Sequence, residues 1–210
     1  MTNRLSGVKA DYPVSHQKLE KHALGAREAL GFDISEAINP LRLFEDLHNV
    51  RLTGSSGNIP LGYGVEELGG HAEGYARYDA ARHRIEVIAS VETYGWLEQG
   101  HPRATFFVAH ELAHCVLHTD QLVRLARMPE KQQAAFHRGR TEHRVFEDTE
   151  WQANAFASAL LMPAKGIALL EERHGKLSAA MIELAFRVSS ECAHYRFENF
   201  VQRRSQLLSV

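Results

Sequence analysis

Long apolar runs are missing from this sequence: the longest, such as Phe106–Ala109 and Ala159–Met162, span four residues, against about 18 for a membrane-crossing helix. Nothing in it predicts a bilayer span. The opening residues, MTNRLSGVKADYPVSHQ, hold neither an apolar stretch nor a small-residue cleavage pattern, so no export signal is expected and the cytoplasm is the expected compartment. Cysteine is scarce. Cys115 and Cys192 stand alone, without CxxC spacing, which fits a reducing compartment and offers no disulfide framework. An excess of either charge is also lacking, since 24 Lys and Arg against 26 Asp and Glu leave a net charge of -2. That balance argues against nucleic acid or an anionic membrane as a partner. With 44% hydrophobic and 24% charged residues the composition is that of a globular chain, not a disordered one. Its 210 residues correspond to about one domain.

Histidine is plentiful, at 13 residues, so metal or acid–base chemistry is worth seeking. Residues 17–30 read as an amphipathic helix ended by Gly31, and Asn39-Pro40 as the cap and first residue of a second helix with Leu41, Phe44 and Leu47 on one stripe. Residues 54–64, rich in glycine and holding Pro60, read as loop. Two extended runs, Gly74–Tyr78 and Arg84–Ala89, predict a hairpin, with Ile85, Val87 and Ala89 alternating as in a half-buried strand. Pro102 opens a helix through RATFFVAHELAHCVLH. Two short helices broken near Met128-Pro129 are expected between Thr119 and Asp148. Thr149–Leu161 is the next helix, with Thr149 and Gln152 at capping-box spacing and Pro163 as the stop. Residues 177–208 read as helical, with Ser189 as an N-cap.

The chemistry lies in His110-Glu111-Leu112-Ala113-His114, an H-E-x-x-H motif on a helix. At about 100° per residue His110 and His114 fall roughly 40° apart on one face and about 6 Å apart along the axis, so both imidazoles can converge on one ion. Glu111 lies beside them, offset by about 60° from His114, where a carboxylate serves as a base and not as a ligand. Composition alone predicts about 0.08 such motifs, so a third ligand is needed to give it weight. On the helix from Thr149, Glu150 leads a stripe of Ala153, Asn154, Ala157 and Leu161 at i+3, i+4, i+7 and i+11 that faces inward. An isolated Glu150 would read as a solvated first-turn acid. Beside two candidate His ligands it completes the two-His, one-carboxylate set of a catalytic zinc with an open fourth position. Glu147, Asp148 and His143 are the rivals, but they precede the helix and lack its fixed direction.

These segments, RATFFVAHELAHCVLH and EWQANAFASALLMP, resemble the ImmA/IrrE family of metallo-endopeptidases, whose signature is an HExxH helix followed by a helix reading E-x-x-A-N-x-F-A and ending in L-L-x-P. The resemblance is specific from Arg103 to Pro163. Asn39–Ala89 resembles the family's elements leading into the site, and VSSECAHYRFENF its C-terminal helical segment only loosely. Ala113 departs from the glycine common there. The 210 residues show neither an N-terminal helix-turn-helix segment nor room for a C-terminal sensor. The resemblance implies an α+β, zincin-like fold with a small sheet packed on the two site helices. It implies a zinc endopeptidase, with manganese as the alternative metal, that cleaves a separate helix-turn-helix repressor and so derepresses stress or mobile-element genes.

Other residues carry less. His118, one turn beyond His114, would close the site as a fourth ligand, so a supporting place or a solvated helix end suits it better. Asn154 either accepts the spare N–H of a ligand His or bonds to backbone. His174, His194, Tyr195 and Arg196 are candidates for stabilising an oxyanion, though for each a packing or surface role is the stronger reading. His16, His22, His48, His71, His83 and His101 read as ordinary residues, and Arg203-Arg204 as a solvated face. The expected whole is one metallopeptidase domain over residues 1–210, with a site core at 72–163 and a helical segment at 177–208. Metal at His110, His114 and Glu150 activates a water, and Glu111 takes the proton and returns it to the leaving amine. If the strand at Arg84–Ala89 forms the sheet edge, it would take substrate as an added strand. Two other classes compete: a metal-containing regulator that binds a repressor without cutting it, which an intact Glu111 argues against, and a DNA-binding regulator, which the charge argues against.

Overall fold

Caps in the sequence set where the elements of the chain begin. The computed structural model describes residues 8–55, 57–70, 72–129 and 143–210. The Ser15 hydroxyl accepts from the Lys18 N–H and opens α1 (His16–Ala29), and Gly31, at φ 67°, turns the chain away from its end. The Asn39 carbonyl accepts from the Arg42 N–H ahead of Pro40, which starts α2 (Pro40–Glu45) and buries Leu43 and Phe44. A 3-10 turn over Asp46–Asn49 follows.

Residues 54 and 57–64 are strand, not loop. They hold the end of β1 (Arg51–Gly54) and most of β2 (Gly57–Glu66). The Leu61 N–H donates to Val50 O on the β1 side, so the missing N–H of Pro60 faces the other way, where no strand is yet paired. Gly64 lies opposite Ile88, whose Cδ1 would stand 3.0 Å from an added Cβ. The punctuation read as loop therefore marks close packing inside a sheet.

β3 (Gly74–Asp79) and β4 (Arg84–Ser90) form the expected hairpin, with the Asp79 carboxylate accepting from the N–H groups of Ala81 and Arg82 in the turn. Strand order is β1-β2-β4-β3, antiparallel except for the parallel pair β2 and β4. The condition for adding substrate at Arg84–Ala89 is not met: β4 is interior, and β3 is an edge. The half-buried reading is corrected as well. Ile85, Val87 and Ala89 enter the main core, while Glu86 on the other face is 2% exposed and is held by the guanidinium groups of Arg77 and Arg84.

The start of β3 is sterically tight. A Cβ on Gly74 would fall 2.0 Å from Ile88 O and 2.4 Å from Phe107 Cζ. Gly74→Ala is therefore expected to lower stability by about 1–3 kcal/mol, because strand and helix must separate to admit one methyl. A thermal melt of the variant indistinguishable from wild type would show that this approach is not required.

Ser90 caps α3 (Val91–Glu98), a helix the sequence reading did not contain. α4 (Pro102–Leu117) carries the H-E-x-x-H motif and α5 (Thr119–Ala126) follows it, ending just before Met128-Pro129. The second short helix expected after that break, and His71, lie outside the described residues. After a 3-10 turn at Val145–Glu147 come α6 (Thr149–Leu161), α7 (Ala164–His174), α8 (Ala179–Phe186) and α9 (Ser190–Leu208). The expected capping box of α6 is replaced: Asp148 is the N-cap, accepting from the Trp151 N–H at 2.9 Å, and Gln152 reaches elsewhere. Ser189 caps α9 as expected.

The described residues thus form nine α-helices and a four-stranded mixed sheet, the α+β class expected. α4 lies between the sheet and α6. Ala109 and Ala113 of α4 and Ala153 and Ala157 of α6 have no exposed surface, and such small residues let two helices pack closely. The Ala113 methyl group is accommodated within that core. Behind α6, Glu20 of α1 and Arg196 of α9 form a buried ion pair at 2.7 Å. Glu20 accepts from the Ala164 N–H and Arg196 donates to Met162 O, so the pair holds the break between α6 and α7. No single helix among the described residues is long and apolar enough to cross a membrane.

Candidate metal centre

The two middle turns of α4 and the first turn of α6 face one point beside the β3 edge. There Nε2 of His110 and Nε2 of His114 stand 3.1 Å apart, and the Glu150 carboxylate places one oxygen 3.2 Å from His110 Nε2 and the other 3.4 Å from His114 Nε2. A tetrahedral zinc with bonds of about 2.05 Å separates its ligand atoms by about 3.3 Å. The donor spacing therefore fits one such ion. The donor chemistry fits as well, since two imidazole lone pairs and a carboxylate directed at each other repel unless a cation or proton lies between them. Among the described residues this is the one group of His, Cys, Asp and Glu with that geometry.

Each ring is held from behind. Nδ1 of His110 is 3.0 Å from Asn154 Oδ1, one turn along α6 from Glu150, so of the two readings of Asn154 it is the His partner. Nδ1 of His114 is 3.1 Å from Nδ1 of His118, whose Nε2 is 2.9 Å from Gln152 Oε1. His118 lies too far back to point at the cluster. Burial pushes its pKa down to about 4, the strongest of several influences, and keeps the ring neutral.

The Glu150 carboxyl is held well below the usual carboxylate range by the His110 and then the His114 rings that face it. Glu111 behaves oppositely. Burial drives its carboxyl up, partly offset by the nearby His114 and His110 and by a hydrogen bond from the Ala76 N–H of β3. A carboxylate shifted in that direction is a better proton acceptor near neutral pH. The bond to Ala76 sets Glu111 between the histidines and the sheet edge. No pattern in the sequence could show it, because the donor is backbone.

The rivals of Glu150 have other partners. Glu147 accepts from the Arg144 N–H and faces Lys9, and Asp148 caps α6 and pairs with His143 at 3.1 Å. The oxyanion candidates also lie elsewhere. Arg196 serves the buried pair described above, His194 and Tyr195 are exposed on α9 with His194 facing Glu198, and His174 is exposed in the last turn of α7. Gln152 is the residue the sequence reading missed. It was read as a capping partner, and only its place one turn from Asp148, facing α4, gives it another use.

An H-E-x-x-H helix and a glutamate-bearing helix meeting beside the edge of a small mixed sheet are the arrangement of a zincin-like fold. Residues 98–198 match the model of the peptidase M78 family, described as the IrrE N-terminal-like domain, the family that the sequence resemblance named. Curated proteins yield no match to the chain.

Proposed function

We propose that this protein is a zinc-dependent endopeptidase that cuts a helix-turn-helix repressor in trans. The observation that carries the reading is the convergence of His110, His114 and Glu150 at zinc-ligand spacing with Glu111 beside them, bonded to the sheet edge. His110, His114 and Glu150 would hold the metal, and manganese is the alternative to zinc for this donor set. When bound, the ion supplies a Lewis acid that acidifies a water and polarises the scissile carbonyl. Asn154 and His118 orient the two rings. Glu111 accepts the proton from the attacking water and delivers it to the leaving nitrogen. The β3 edge, not β4, receives an extended substrate segment as an added strand, which brings its backbone alongside Glu111.

The kinship of residues 98–198 supports a repressor as the protein substrate. Co-expression with a repressor encoded nearby is expected to yield discrete fragments of that repressor and little digestion of casein. Rapid, unselective digestion of unfolded proteins would overturn the repressor assignment. A stable, uncut complex with the wild-type protein would overturn hydrolysis itself and point to regulation by binding.

A further inference from the structure

We propose that His118, backed by Gln152, is a positioning residue that selects the tautomer of His114 and commits its Nε2 lone pair to the metal. This rests on the metallopeptidase reading and adds to it a device built from residues outside the H-E-x-x-H motif.

Gln152 is 1% exposed. One end of its amide lies 2.9 Å from Tyr12 O and 2.9 Å from Phe146 O. Backbone carbonyls only accept, so that end is the NH2 group. The other end is then the carbonyl oxygen, and it faces His118 Nε2 at 2.9 Å. An amide oxygen also only accepts, so His118 carries its hydrogen on Nε2. A neutral imidazole has one N–H, which leaves Nδ1 of His118 as an acceptor. The group it meets, at 3.1 Å, is Nδ1 of His114, which must therefore donate. With its hydrogen on Nδ1, His114 presents a bare Nε2 toward His110 and Glu150. Each step follows from which atoms can only accept, and the chain ends at the candidate ligand atom.

The far end of the relay is itself anchored. Tyr12 lies in residues 8–14, which are bound to the approach to α6 by Ala10 N–H to Glu147 O, Val14 N–H to Phe146 O and Thr149 N–H to Val8 O. Gln152 is thereby held by two carbonyls from different parts of the chain and cannot turn over without losing both. His110 reaches the same tautomer directly through Asn154. A second-sphere partner of this kind is worth about 10- to 100-fold in metal affinity.

The test uses the full chain. Zinc affinity is measured by chelator competition, and the tautomer of His114 by nitrogen-15 imidazole spectroscopy of the metal-free protein. Wild type should show His114 protonated on Nδ1. His118→Leu removes the acceptor and should weaken zinc binding about 10- to 100-fold while the melting temperature of the metal-free protein stays close to wild type. His118→Asn places an amide oxygen where Nδ1 stood and should recover most of the affinity, a rescue that a packing role does not predict. Gln152→Met frees the ring of His118 and should give mixed tautomers at His114. His114 protonated on Nε2 in wild type would overturn the inference, as would full affinity in His118→Leu or equal losses in the Leu and Asn variants. Should His118→Leu fail to fold, the wild-type tautomer and Gln152→Met still decide. A wild-type protein that binds no zinc or manganese would sink the metallopeptidase reading instead, and the tautomer spectrum would still judge the relay.

Discussion

Glu111→Gln is expected to cut peptide hydrolysis by about 10²- to 10⁴-fold while metal content stays at the wild-type level. The amide keeps the size of the side chain and can still meet the Ala76 N–H through its oxygen, but it cannot accept a proton from water or carry one to the leaving nitrogen. Binding terms are left in place, so the loss should fall on kcat more than on KM. The wild-type profile should rise with pH across the ionisation of a carboxyl shifted upward from its ordinary range, and the variant should lack that limb. Steady-state cleavage kinetics with metal analysis of the same preparations checks both halves. Unchanged cleavage would remove Glu111 from the mechanism, and loss of metal would make it a ligand.

Glu150→Ala is expected to empty the site, lowering metal affinity by more than the roughly 100-fold that a supporting residue accounts for. Two imidazoles remain, but the carboxylate facing both Nε2 atoms is gone. The neighbours offer no replacement: Glu147 faces Lys9 and Arg144, and Asp148 is engaged by the Trp151 N–H and His143. Glu147→Ala and His143→Ala should accordingly keep wild-type metal stoichiometry. Chelator competition on the four proteins decides the matter. A Glu147→Ala protein without metal beside a fully loaded Glu150→Ala protein would overturn the choice of third ligand.

The fall in metal affinity predicted here also separates the two ways a protease can be lost. A variant that holds metal but does not cut reports on proton transfer, and one that cannot hold metal reports on the ligand set. The two substitutions lie on different helices but act on one site, so their effects on activity should not add.

Short-range chemistry made the helices of the site legible in the sequence. Pro102 at a helix start, the i, i+4 spacing of His110 and His114, and the stripe led by Glu150, buried at Ala153, Ala157 and Leu161 though exposed at Asn154, all follow from geometry each helix carries within itself. The direction of Glu150 was readable for the same reason, since a helix once begun fixes where its first-turn side chains point. The caps at Asn39 and Ser189 were legible too, each bonding within three residues.

Sheet order and the support behind the ligands were decided only by tertiary structure. β2 looked like loop because its glycines and Pro60 carry meaning only against Ile88 and the end of the β4 pairing. The place of β4 inside the sheet was not legible, because alternation reports burial on one face and says nothing of which strands flank it, and the parallel partner β2 comes from far upstream, with Leu61 opposite Ile85. The place of Gln152 depends on carbonyls at residues 12 and 146 meeting on one amide, and the place of Glu111 on a backbone N–H of β3. Bonds of that kind join residues far apart along the chain through groups that every residue possesses, so no residue type or spacing records them. The two histidines and the glutamate could be named from the chain, but the groups that hold their rings and face their base took shape only when the elements packed.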